Sequence, residues 1–329
     1  MQVFITELMV PLIAGLALFL FGMKIVEWAL YRWTGHLLKR ILQRLTRTPF
    51  RGLIIGTGTT ALLQSSSAVT VITIGFVNAG LLTFPQTLGI ILGTNIGSCL
   101  TTELIGLRLS GSMSKTLLIA SIFWFITWIP FQSAQHPTVT RILDSIRGLS
   151  LTMAGFSCVL LGLEVMQSII PFLQKHGLLA WFIEQAQQSL LWGIIAGAAL
   201  TAIIHSSAAS IAITMGLATL GVIPVDLGIA IILGCNIGTC ITPLMASIGG
   251  NRFGYYVAWA HVLLNIGGTL LFYPFISQMS SLSSVLSTDP AIQLAHIQTI
   301  FNVICSIIAL PICYLPALQR IQGGGIPDQ

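Results

Sequence analysis

Long apolar runs dominate the chain. They lie at about 8–30, 86–107, 114–131, 149–170, 225–248, 255–276 and 293–316. Several exceed the roughly 18–20 residues a helix needs to cross a bilayer core, so the runs predict transmembrane helices. Two further stretches, 52–82 and 190–221, are apolar but interrupted. Each has a short apolar arm, a polar knot and a second arm. The knots are Gln64-Ser65-Ser66-Ser67 and His205-Ser206-Ser207. Between the first span and the first knot, Leu37, Leu38, Ile41, Leu42 and Leu45 recur at helical spacing, with Lys39, Arg40, Arg44 and Arg47 between them. This predicts an amphipathic helix over 31–48 lying in the membrane interface.

Composition agrees with a membrane chain. Of its 329 residues 55% are hydrophobic and only 7% charged, against about a quarter charged in soluble domains. The net charge of +5 is not a nucleic-acid signature, because six of the fourteen Lys and Arg residues fall between Arg32 and Arg51. That cluster predicts a cytoplasmic loop beside anionic lipid. The six cysteines all lie in apolar segments and read as buried thiols. The first run lacks a basic leader and a cleavage site, so it reads as a span. The tail after Arg320 is expected to be disordered.

Self-similarity organises the rest. At a shift of 141, residues 52–101 lie over 193–242 without a gap, and 21 of the 50 positions are identical. The matches include Ser65/Ser206, Ser66/Ser207, Gly93/Gly234, Asn95/Asn236, Gly97/Gly238, Cys99/Cys240 and Thr101/Thr242. At a shift of 140, Gly15 to Gly22 fall on Gly155 to Gly162. Repeat 1 is placed at 1–131, a connecting loop at 132–148, repeat 2 at 149–276, and a final span and tail at 277–329. If 52–82 dips in and returns, the repeats are inverted; if it crosses, they are parallel. The 31–51 loop carries six basic residues, its counterpart 171–189 only Lys175, which favours opposite sides of the membrane. The expected fold is an all-α polytopic membrane protein of two inverted repeats, each with a re-entrant or broken helix.

Paired broken segments point to a transport site, because freed backbone groups are tolerable in a membrane only where they face a cavity or cargo. Serines opening a helix cap its free N–H groups, and that end attracts an anion. Gln64, Ser65, Ser66, Ser67, His205, Ser206 and Ser207 are therefore the candidate substrate-binding set. Gly93-Thr94-Asn95-Ile96-Gly97 and Gly234-Cys235-Asn236-Ile237-Gly238 predict unwound turns exposing carbonyl oxygens. Hard oxygen ligands suit a small cation, so Thr94, Asn95, Thr101, Asn236, Thr239 and Thr242 are the candidate sodium ligands. Lys24 and Glu27, three apart, are expected to pair or snorkel. His205, His261 and His296 read as hydrogen-bonded groups, since no cluster has transition-metal spacing. Glu164 is central enough for a proton or cation role. No activated nucleophile is visible: Ser206 and His205 are adjacent and do not face each other. An enzyme is not expected.

These residues resemble the type II sodium–phosphate cotransporter family. The resemblance runs from Gly15–Met23 through the first knot, Val77–Leu82 and Gly93–Gly97, resumes in the second repeat, and ends at His296 and Phe301-Asn302. It implies sodium-driven symport of inorganic phosphate by alternating access in a plasma membrane. It implies no cofactor besides Na+ as coupling ion, membrane lipid as surroundings, and no nucleic-acid partner; it leaves oligomeric state open. The second knot departs from the family's repeated Gln-Ser-Ser-Ser, reading His205-Ser206-Ser207-Ala208. Another anion or organic solute is thus an alternative cargo, and a non-transporting scaffold or receptor an alternative of another class.

Overall fold

A computed structural model describes residues 5–106, 113–127, 137–169, 172 and 180–321. All described elements are helical. A π-turn at Ile5–Met9 leads into α1 (Val10–Leu45), followed by α2 (Pro49–Leu63), α3 (Ser66–Asn78), α4 (Phe84–Gly106) and α5 (Met113–Ile126). Next come α6 (Pro137–Gln167), α7 (Ala180–Gln188), α8 (Leu191–Ile204), α9 (Ser207–Thr219), α10 (Val225–Gly238) and α11 (Ile241–Ser247). The chain closes with α12 (Arg252–Phe272), α13 (Ile276–Leu286), α14 (Pro290–Ala309) and α15 (Pro316–Gln319). Among the described residues six helical stretches are long and apolar enough to cross a membrane: Thr6–Arg32, Phe84–Gly106, Ile142–Gln167, Val225–Ser247, Arg252–Leu286 and Pro290–Tyr314.

Two expectations change. The basic stretch is not a separate interfacial helix: α1 runs unbroken for 36 residues from Val10 to Leu45, because no glycine, proline or cap interrupts it after Gly35. Residues 137–148 are not a loop, since α6 begins at Pro137, and proline is well suited to a first helical position. Of the span expected at 114–131, the described part is α5, and 128–131 lie outside the described residues, as does the tail from 322.

The chain divides into two compact units. The first comprises residues 1–37 and 108–176, so it holds most of α1 with α5 and α6. Here α1 and α6 meet at glycines. A methyl on Gly15 would lie 2.7 Å from the Gly162 carbonyl oxygen, and one on Gly22 would lie 2.5 Å from that of Gly155. The repeat counterparts of Gly15 and Gly22 are Gly155 and Gly162, so each glycine touches the counterpart of the other. Such reciprocal contact is the mark of a two-fold relation. The partner number falls as the first rises, so the two equivalent helices run antiparallel. The repeats are inverted. Lys24 and Glu27 pair here at 2.6 Å, and the Arg147 guanidinium donates to the Thr127 carbonyl at 2.8 Å.

The second unit, residues 38–107 and 177–329, holds both broken segments. α2 packs parallel to α4: methyls on Gly89, Gly93 and Gly97 would lie 2.0, 2.3 and 2.6 Å from the carbonyls of Pro49, Leu53 and Thr57. α8 packs on α10 in the same way, Gly234 against Ile194 and Gly238 against Ala198. Because α2 and α4 run the same way side by side, α3 must bring the chain back between them. The return is tied at its base, where Gln86 Nε2 donates to the Arg47 carbonyl at 3.4 Å. Leu42, Leu63, Val69, Leu82 and Ile90 bury a common cluster around it. The 15 residues of α2 rise only about 22 Å, short of a bilayer core. The segment 52–82 is therefore a re-entrant hairpin.

Candidate functional site

Each hairpin breaks at the same place in the same way. α2 ends on Gln64 in the left-handed region (φ 55°, ψ 27°), and α8 ends on His205 (φ 57°, ψ 23°). Among the described residues these are the only non-glycine positions with positive φ. Such backbone is held at a cost of about 1 kcal/mol or more and clusters at functional sites. The next residue turns to extended backbone and caps the following helix. Ser65 Oγ accepts from Ala68 N–H and Ser206 Oγ from Ala209 N–H, both at 3.3 Å. The hydroxyls of Ser66, Ser67 and Ser207 make no hydrogen bond among the described residues, and all three are half-buried. Each break thus presents a capped helix start with free first-turn N–H groups and unclaimed hydroxyls.

The two breaks differ where their sequences differ. The Gln64 carboxamide is committed: its Nε2 donates to the Ala61 carbonyl at 2.6 Å, closing α2, and its Oε1 accepts from the Thr101 hydroxyl at 2.7 Å. This bond links the first knot to the last of the candidate sodium ligands in its repeat. His205 is exposed, and no hydrogen bond joins it to Thr242, the counterpart of Thr101.

The expected unwound turns are absent. α4 is continuous through Gly93–Gly97, and α10 through Gly234–Gly238. Their glycines serve close approach of α2 and α8, as in small-residue packing of membrane helices. An interruption does follow in repeat 2, at Thr239–Cys240, before α11. Pro243 causes it, lacking the N–H for the Thr239 carbonyl and crowding that group; its repeat counterpart is Thr102, and α4 passes through unbroken.

The candidate cation ligands fall into two groups. Thr94 is fully buried and donates to the Ile91 carbonyl at 2.7 Å within its own helix. Thr239 donates to the Asn236 carbonyl at 2.6 Å, and Asn236 Nδ2 to the Ile232 carbonyl at 2.9 Å. Hydroxyl and carbonyl oxygens so engaged keep a lone pair for a cation. Asn95 instead leaves its helix: its Nδ2 donates to Asn265 Oδ1 at 2.8 Å. Asn265 Nδ2 in turn donates to the Asn236 carbonyl at 2.8 Å. One buried asparagine on α12 therefore ties the two Gly-x-Asn-Ile-Gly motifs together.

A family model described as Na+/Pi-cotransporter matches residues 18–168 and again 159–287, one match for each half. The chain belongs to the Na+/Pi-cotransporter family. It is thus a multi-pass plasma-membrane transporter, not an enzyme. It is 33% identical over 308 residues to the protein YqeW of Bacillus subtilis (strain 168), covering 94% of this chain and 95% of that one. It is 26% identical over 301 residues to YjbB of Escherichia coli (strain K12), a protein named for inorganic phosphate export; the match covers 91% of this chain and 53% of YjbB. The chain thus spans about half the length of that relative. It is 34% identical over 97 residues to the sodium-dependent phosphate transport protein 2B of Homo sapiens, 27% of this chain and 14% of that one. No solved structure matches.

Within this Na+/Pi-cotransporter family member the structure adds residues the motifs did not single out. α14 stands on α4 as α12 stands on α10. Cys99 Sγ donates to the Gln298 carbonyl and Cys240 Sγ to the His261 carbonyl, both at 3.7 Å. Asn302 Nδ2 reaches Cys99 Sγ and Asn265 Nδ2 reaches Cys240 Sγ, both at 3.3 Å. Ser306 Oγ donates to Leu92 O and Thr269 Oγ1 to Leu233 O, both at 3.2 Å. All three pairs of donors or acceptors on α12 and α14 differ by 37 residues. A shift of 37 aligns Ala258, Asn265 and Pro274 with Ala295, Asn302 and Pro311; that weak echo was the available signal.

The same register explains the histidines. His296 behaves as expected, its Nδ1 3.0 Å from Glu103 Oε2, with Thr299 donating to Glu103 Oε1 at 2.6 Å. His261 does not: it is buried, and neither ring nitrogen finds a hydrogen-bond partner among the described residues. Its counterpart Gln298 receives the Thr102 hydroxyl, whereas Pro243 offers His261 no such donor. Among the described residues no group of three or more His, Cys, Asp or Glu could hold a metal. Glu164 is exposed on α6.

Proposed function

We propose that this chain moves inorganic phosphate across the membrane, coupled to sodium, by alternating access. The observation that carries the reading is the duplicated break. Two hairpins each end a short helix on a left-handed residue and open the next with a serine cap. First-turn N–H groups, the positive helix end, and the hydroxyls of Ser66, Ser67 and Ser207 suit a tetrahedral oxyanion. No arginine then needs to be desolvated. Gln64, Ser65, His205 and Ser206 shape the two cradles. Sodium would draw on Thr94, Asn95, Thr101, Asn236, Thr239 and Thr242, and its charge would offset that of the anion in a low-dielectric setting. The named phosphate transport of the human relative supports the cargo and the ion. The name of the Escherichia coli relative favours outward flux, so direction is an outcome to be measured.

The experiment is radiolabelled phosphate flux in proteoliposomes, with sodium gradients imposed in either direction. Sodium-dependent flux that Ser65→Ala and Ser206→Ala reduce supports the reading. Absence of flux in either gradient, with insertion verified, overturns it. Equal competition by sulfate or an organic anion would favour the second reading, a different cargo, for which the exposed His205 and the lost hydroxyl at Ala208 are the support.

A further inference from the structure

In an inverted-repeat transporter the outward-facing and inward-facing states differ by exchange of the conformations of the two repeats. Any contact that breaks the two-fold relation in one state therefore has a definite image in the other. The second unit contains such a contact. The relation carries α4 onto α10 and α12 onto α14, as the three matched pairs of bonds establish. It carries Asn95 onto Asn236 and Asn265 onto Asn302. Four of the relevant asparagine bonds then form two comparisons, and both are unequal.

Asn95 Nδ2 donates across to Asn265 Oδ1 at 2.8 Å. Its image would be Asn236 Nδ2 donating to Asn302 Oδ1. Instead Asn236 Nδ2 turns back to the Ile232 carbonyl of its own helix at 2.9 Å. Likewise Asn265 Nδ2 donates to the Asn236 carbonyl at 2.8 Å. Its image would be Asn302 Nδ2 donating to the Asn95 carbonyl, but Asn302 Nδ2 turns back to the Gln298 carbonyl at 3.1 Å. α10 and α14 are nonetheless packed together, as α4 and α12 are. The frame is symmetric while the amides are not. Asn265, Asn302 and Asn236 are each at most 6% exposed, so their amides must find protein partners in either arrangement.

We propose that Asn265 and Asn302 are positioning residues that register which repeat is in which conformation. In the state described here Asn265 bridges Asn95 and Asn236, while Asn302 bonds Gln298 and Cys99 and bridges no asparagine. In the opposite-facing state Asn302 bridges Asn236 and Asn95, and Asn265 turns back to the carbonyl of His261, the counterpart of Gln298. The exchange trades amide–carbonyl bonds one for one. The two arrangements are thus close in energy, as a two-state element needs. Both bridges touch the Gly-x-Asn-Ile-Gly motifs, so an ion bound there would feel the exchange directly. The inference rests on the transport reading only in requiring two repeat-related states; it does not depend on phosphate or sodium.

The test uses the full chain with Ser67→Cys as reporter, labelled by a membrane-impermeant maleimide in right-side-out and inside-out vesicles. Five native cysteines are buried and Cys305 half-buried, and the chain without the reporter gives the background. No cargo is needed, so failure here is separable from failure of phosphate flux. Asn265→Ala should shift the ratio of labelling from the two sides one way, and Asn302→Ala the other. Each shift should be about fivefold, the worth of one net hydrogen bond. Asn302→Leu, which keeps the side-chain volume and removes both amide groups, should shift it as Asn302→Ala does, and stands in if that variant fails to fold. Shifts in the same direction, or ratios unchanged in all variants, overturn the proposal.

Discussion

Consider Gly93→Ala. A methyl at Gly93 would lie 2.3 Å from the Leu53 carbonyl oxygen and 2.6 Å from the Thr57 nitrogen, where ordinary contact begins near 3.4 Å. The obstructing atoms are backbone, so no rotamer can yield; α2 as a whole must retreat from α4 by about 1 Å. Overpacking of this kind destabilises by about 1–3 kcal/mol. The retreat also carries Gln64 away from Thr101. Their 2.7 Å bond, lengthened by about 1 Å, passes the limit for a hydrogen bond. The first knot loses its link to α4, and a misplacement of that size can cost about a hundredfold in a positioned site. The assay is thermal unfolding of the purified protein beside phosphate flux in proteoliposomes. Gly58→Ala is the control, because nothing lies within 4 Å of a methyl there and its repeat counterpart is already Ala199. Gly93→Ala should melt lower and lose flux by about tenfold or more, while Gly58→Ala does neither. Equal behaviour of the two variants would refute the claim that the glycines set the α2–α4 distance.

Two further outcomes follow from single features. His205 occupies left-handed backbone and has no side-chain hydrogen bond among the described residues, so in thermal unfolding His205→Gly should be neutral within about 0.5 kcal/mol, relief of strain offsetting the glycine entropy cost. His205→Val should lose more than about 1 kcal/mol, since β-branched residues tolerate that region poorly. Glu103 and His296 pair at 3.0 Å, and by the repeat shifts their counterparts are Leu244 and Trp259. The double variant Glu103→Leu/His296→Trp should therefore be more stable than either single one, since each alone strands a polar partner in an apolar span. Additive destabilisation in a double-mutant cycle would count against a direct pair.

The chain's own pattern determined the membrane class, the two halves, the interrupted segments and the residues at each break. Those features rest on local rules: an apolar run long enough to span, a serine where a helix must start, a repeat visible as identity at one offset. It favoured inversion on one loop comparison alone, 31–51 against 171–189; the reciprocal glycine contacts Gly15–Gly162 and Gly22–Gly155 decided it. It misread Gly93–Gly97 as unwound, since glycine serves both backbone freedom and close packing, and only the position of α2 tells which. It also missed the bridge from Asn95 through Asn265 to Asn236. These residues are far apart in the chain, and only the packing of α12 between α4 and α10 brings their amides within reach.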